Sequence, residues 1–132
     1  MDFDEYALVM RSAADAHESG RTEEATDAYR RLLEDPGLAD VDRAMVAVNL
    51  ATALTAAGAP HSEVEGVYDR GVGFESRWQR GFATESKAVW LAGLGRVDAA
   101  RRVYQGLLAQ GWASMDERRR WSHNVETLTD RP

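Results

Sequence analysis

The sequence predicts an all-α protein: three helix hairpins stacked side by side, closed by a seventh, C-terminal helix. Three observations predict it. First, the segments 20-GRTEEATDAYRRLL-33, 58-GAPHSEVEGVYDRGV-72 and 95-GRVDAARRVYQGLL-108 share one layout, with a leading glycine and a tyrosine near the middle. Gly20, Gly58 and Gly95 lie 38 and 37 residues apart, and Tyr29, Tyr68 and Tyr104 lie 39 and 36 apart. Recurrence at such a period is the mark of stacked supersecondary units. Second, each glycine follows an Ala-rich helical stretch: YALVMRSAADAHES, DRAMVAVNLATALTAA and FATESKAVWLAGL. Third, no strand pattern competes, because apolar–polar alternation never persists and no Asn-Gly or Asp-Gly turn occurs.

Each element has a local reason. The first helix, over 3–19, ends at Gly20, which takes positive φ without steric cost. The second runs over 22–34. Thr22 can cap it, and Glu23 and Glu24 suit its positive end. Ala25, Tyr29, Leu32 and Leu33 then fall at i, i+4, i+7 and i+8, on one face. Asp35-Pro36 stops this helix, since proline cannot continue the hydrogen-bond ladder. The third helix spans 40–57. The fourth spans 61–71, with Ser62 as cap and Glu63 behind it, and Gly71-Val72-Gly73 forms a loosened link to the next pair. The fifth covers 77–93. In the sixth, 97–110, Ala100, Tyr104, Leu107 and Leu108 repeat the spacing of the second. The seventh, 114–128, places Met115, Trp121, Val125 and Leu128 on one apolar face and Arg118, Arg119 and Arg120 outside. The units are 3–36, 40–72 and 77–110, within one domain over 1–132. One hairpin cannot bury its apolar stripe alone, so the pairs stack and the last helix covers the final open side.

Composition narrows the function. At 132 residues the chain is long enough for one domain with its own core. With no cysteine there is no disulfide framework and no thiolate zinc site. The acidic start MDFDEYALVM lacks the positive charge of an export signal, and no apolar run approaches a membrane span. A cytoplasmic protein without membrane association is expected. The formal charge of −6 argues against nucleic acid. It is uneven: residues 1–66 carry −9 and residues 67–132 carry +3.

Chemistry is sparse. His17, His61 and His123 make no close ligand pair, so no metal is expected. Gly71-Val72-Gly73 has neither the preceding strand nor the further glycine of a phosphate loop, and there is no Gly-x-Ser-x-Gly elbow. Glu23-Glu24 and Asp116-Glu117 are explained by helix starts. Three arginines at 118–120 on an acidic protein fit a solvated face better than a nucleic-acid site. No catalytic residue and no cofactor is expected.

The sequence resembles a tetratricopeptide repeat (TPR) protein of the small bacterial three-repeat sort. The resemblance rests on NLATAL before Gly58, on Ala25, Tyr29 and the closing Pro36 after Gly20, and on Ala100 and Tyr104 after Gly95, and it covers about residues 5–111. Departures are Val64 for a small residue, the extra Pro60, Lys87 for a leucine, and Trp90 for a small residue. The resemblance implies a right-handed superhelical solenoid whose first helices line a concave groove that binds peptides or helices. Placed on this chain, that groove is lined by Met10, Ala14 and His17, then Met45, Val48, Asn49 and Thr52, then Phe82, Glu85, Ser86 and Val89, with Trp78 one turn earlier on the same face. Methionine and aromatic anchors suit an amphipathic helix or apolar peptide, and Asn49 can both donate to and accept from a peptide bond. The family's clamp for chaperone tails is not implied, because Met10, Ala14, Phe82 and Ser86 stand where that clamp needs cations. The function implied is a non-catalytic scaffold or adaptor with a protein or peptide partner. Two other readings stand beside it. One is a homo-oligomeric module drawn together by the unlike halves, with Trp112 and Trp121 near the C-terminal end. The other is an accessory, ligand-sensing subunit using Glu85, Lys87 and Trp90 on one irregular helix, favoured by a pocket beside Lys87.

Overall fold

The computed structural model of the protein describes residues 1–128, so positions 129–132 of the expected domain lie outside the described residues. It is all-helical. The elements are α1 (Phe3–Glu18), α2 (Thr22–Leu33), α3 (Asp40–Ala56), α4 (His61–Glu75), a 3-10 turn (Ser76–Trp78), α5 (Phe82–Gly93), α6 (Val97–Leu108) and α7 (Met115–Leu128). Each helix packs chiefly on its neighbours in the chain. The main additional helix contact joins α3 to α5.

The three tight turns are built alike. Gly20, Gly58 and Gly95 have φ of 81°, 77° and 78°. In each, the glycine N–H donates to the residue three before it and the following N–H donates to the residue five before it: Arg21 to Ala16 at 2.8 Å, Ala59 to Leu54 at 3.0 Å and Arg96 to Leu91 at 3.0 Å. This is the Schellman closure, which satisfies otherwise orphaned carbonyls and reverses the chain. Behind each turn, Ala25, Val64 and Ala100, then Tyr29, Tyr68 and Tyr104, are buried in the core. The apolar spacing thus faces inward in all three pairs.

Several local expectations change. Thr22 and Ser62 are not caps: Arg21 and Pro60 hold those positions, with no side-chain capping bond. The turn itself sets both helix starts, since the carbonyls of Arg21 and Pro60 accept from Ala25 and Val64. Nor is Gly71-Val72-Gly73 a link. The fourth helix continues to Glu75, and Gly71 stands three residues after Tyr68, where the other pairs have Leu32 and Leu107. A Cβ on Gly71 would lie 3.1 Å from the Ala47 Cβ and 3.2 Å from the Ala83 Cβ, so the missing side chain lets α3 and α5 close on α4. Residues 77–81 are not α-helical. Gln79 adopts the left-handed region at φ 55°, and α5 starts at Phe82.

The arginine run is not simply solvated. The Arg118 guanidinium donates to the carbonyls of Leu108, Gln110 and Ala113, closing the end of α6 and the link to α7. Arg120 forms two hydrogen bonds to the Glu85 carboxylate, at 2.6 and 2.9 Å. Only Arg119 matches the expected exposed position without such a bond among the described residues. Trp121 is fully buried and meets Trp112 edge-on, with ring centroids 6.2 Å apart. No helix among the described residues is long and apolar enough to cross a membrane.

Candidate functional site

The first helices of the three pairs, α1, α3 and α5, border a cavity of about 580 Å³. Its apolar wall comes from Val48, Phe82, Val89 and Trp90, and its polar rim from Thr52, Glu85 and Ser86. No residue of α7 lines it. The helix periodicity explains this convergence: Phe82, Glu85, Ser86 and Val89 recur at the three- and four-residue spacing that puts side chains on one face.

Side-chain exposure differs across the expected lining residues. Met45 is 39 % exposed, Phe82 45 % and Val89 56 %. Val48 lines the cavity but is itself buried, so it belongs to the core as much as to the groove. Thr52 donates from its hydroxyl to the Val48 carbonyl at 3.0 Å. Tyr68 closes the cavity from α4. Burial raises its phenol above the ordinary range, and its hydrogen bond to Thr52 opposes that. Met10, Ala14, Met45 and Asn49 do not border this cavity. Met10, Ala14 and Asn49 are half-buried, and the Asn49 amide makes no hydrogen bond among the described residues.

Trp78 departs from the expected face. It sits in the 3-10 turn before α5, 54 % exposed, and borders a different hollow with Phe82, Glu85, Trp112 and Arg120. The reason is Glu75, which sequence reasoning missed. Its carboxylate accepts from the Ala83 N–H at 2.7 Å and from the Thr84 N–H and hydroxyl, each at 2.8 Å. A buried acid on α4 thereby caps the start of α5 and holds it at Phe82. Burial raises the Glu75 pKa above the ordinary 4.5, while these three hydrogen bonds pull it down.

Lys87 and Trp90 face α4. The Lys87 ammonium lies 2.7 Å from Asp69 and 3.7 Å from Glu65. The Trp90 indole packs between His61 and Tyr68, at centroid distances of 6.0 and 5.5 Å. Glu85 instead turns to Arg120, so the three side chains expected to cluster are divided between two partners. A cavity of about 360 Å³ does lie beside Lys87, between α4, α5 and α6. Among the described residues no three His, Asp or Glu side chains converge to hold a metal ion. Comparison of the chain with family models, curated proteins and solved structures found no match.

Proposed function

We propose that this protein is a non-catalytic binding module, a right-handed superhelical TPR-like solenoid whose concave face takes an apolar peptide or amphipathic helix from a partner protein. The observation that carries the reading is the cavity across α1, α3 and α5 with exposed Phe82 and Val89 in its apolar wall. The three matching Schellman turns and the α3–α5 contact support the solenoid. Such a groove binds by preorganisation. The helices are already rigid, so two or three apolar anchors enter with little ordering of the receptor.

The test is peptide selection on the immobilised full chain, followed by calorimetric titration of an enriched peptide. Peptides with apolar residues at helical spacing are expected. Phe82→Glu should lower their affinity by about 2 kcal/mol, roughly thirtyfold, while far-UV circular dichroism stays unchanged. Retention of full affinity by both Phe82→Glu and Val89→Glu would remove the groove as the site.

A further inference from the structure

We propose that the cavity between α4, α5 and α6 is a second binding site, for a small amphiphilic anion with one carboxylate or phosphate headgroup on an apolar body. Its volume, about 360 Å³, falls at the small end of the roughly 300–1,000 Å³ usual for small-molecule pockets. Val72, Val103, Leu107 and the Trp112 ring supply the apolar walls.

The charge at this cavity is one-sided. Arg80, Lys87 and Arg102 line it against one acid, Asp69, and Lys87 already holds Asp69 at 2.7 Å. Arg80 and Arg102 are exposed and form no ion pair or hydrogen bond among the described residues. Arg80 is near enough to Glu117 to help lower its pKa, behind the larger effect of the Ser114 N–H. Elsewhere, Arg21, Arg30, Arg43, Arg70, Arg96, Arg101 and Arg120 each reach a carboxylate, whereas Arg11, Arg31, Arg77, Arg118 and Arg119 form no ion pair among the described residues but do not line this cavity. In a chain of net charge −6, two guanidiniums with no direct carboxylate contact therefore flank one apolar hollow.

The hydroxyl and amide donors at the cavity are engaged, the Gln110 amide with the Gly106 carbonyl. The Ser76 hydroxyl donates to the Gly73 carbonyl and the Thr84 hydroxyl to Glu75. The guanidiniums remain, and their planar forks match a carboxylate or phosphate. A cation would meet two like charges. A bare inorganic anion would leave the apolar walls unused.

Gly106, on α6, gives a way to fill the site. It lines the cavity, and a Cβ built on it has nothing within 4 Å. A leucine there enters the hollow and also improves helix propensity.

The experiment titrates the 15N-labelled full chain with octanoate, octyl phosphate, octyltrimethylammonium and inorganic phosphate, and follows amide shifts. Octanoate or octyl phosphate should shift Thr84, Lys87, Val103 and Gly106 saturably, and the tighter of the two identifies the headgroup. Joint Arg80→Gln and Arg102→Gln should weaken binding about tenfold or more, as charge-assisted bonds are lost. Gly106→Leu should abolish it with helical content intact, and Phe82→Glu should leave it unchanged. Should Gly106→Leu misfold, the arginine pair still decides. The site is overturned by equal shifts with octyltrimethylammonium, by inorganic phosphate binding as tightly as octyl phosphate, by shifts confined to Thr52 and Val89 in the groove, or by no saturable shift.

Discussion

Glu75 sets a boundary between two helix pairs with one carboxylate. The first N–H groups of any helix lack intrahelical partners, and Gly81, at the cap of α5, has no side chain to offer. Glu75 supplies the acceptor from six residues earlier in the chain. Glu75→Ala should cost about 3 kcal/mol in urea unfolding, because it leaves the Ala83 and Thr84 N–H groups buried or half-buried without an acceptor. The pH dependence follows from the raised pKa. The folded state holds this proton more tightly than the unfolded chain does. The contribution is therefore full below the ordinary 4.5 and is lost as pH rises through the folded pKa. Glu75→Gln cannot ionise. Its stability should gain on wild type as pH rises from 4.5 towards neutrality, measured by denaturation at successive pH values. Wild type gaining on Glu75→Gln over that range would mean that the hydrogen bonds outweigh burial.

At the scale of elements, two of the three glycines in α4, Gly66 and Gly71, have opposite consequences. Gly66 is helical, and a Cβ there has nothing within 4 Å. Gly66→Ala should stabilise the protein by about 0.5–1 kcal/mol through helix propensity alone. A Cβ on Gly71 would meet the Cβ atoms of Ala47 and Ala83 at 3.1 and 3.2 Å, and an alanine Cβ has no rotamer by which to move aside. Gly71→Ala should destabilise by about 1–2 kcal/mol as α3 and α5 are pushed apart. Thermal unfolding of the two variants checks the contrast, and a shared sign would show that packing at Gly71 does not decide its identity. The pair also shows what was legible in the sequence. The helices and their three turns were, because positive-φ glycines and i, i+4, i+7 apolar spacing are local signals. The α4–α5 junction was not, because it depends on where Glu75 and Gly71 sit in space. The start of α7 lies between these cases. Ser114 and Glu117 cap reciprocally, at 2.9 and 3.1 Å, so the Ser-x-x-Glu spacing, more than the helix dipole, accounts for the acid. The cavity across α1, α3 and α5 was half legible: helical periodicity put Val48, Thr52, Phe82, Glu85 and Val89 on its lining, but Met10, Ala14, Met45 and Asn49 lie off it, and extending α5 back to 77 misplaced Trp78.

At the scale of the whole molecule, the distribution of contacts makes a solenoid testable against a single-core bundle. In a stacked array each unit is held by its neighbours, so stability falls towards the ends. Here α3 carries the most buried side chains of any helix and packs on α2, α4 and α5. By contrast α1 packs chiefly on α2, and α7 chiefly on α6. Ion pairs also run along the seams, from Arg30 to Glu63, Arg70 to Glu34 and Arg96 to Glu65, but all are solvent-accessible, Glu65 least, and each contributes at most about 1 kcal/mol. Burial must therefore set the order of stability. Native-state amide exchange should show the greatest protection in α3 and α4, with α1 and α7 opening at lower free energy. α7 should stay better protected than α1, because Trp121 is fully buried and Arg118 ties it to the end of α6, whereas α1 buries Tyr6, Ala13 and Ala16. Equal protection across α1, α3 and α7, all reached only by global unfolding, would mark one indivisible core. The groove would then be a surface dimple on a bundle rather than the inner face of a stack, and the case for peptide capture would fall with the solenoid.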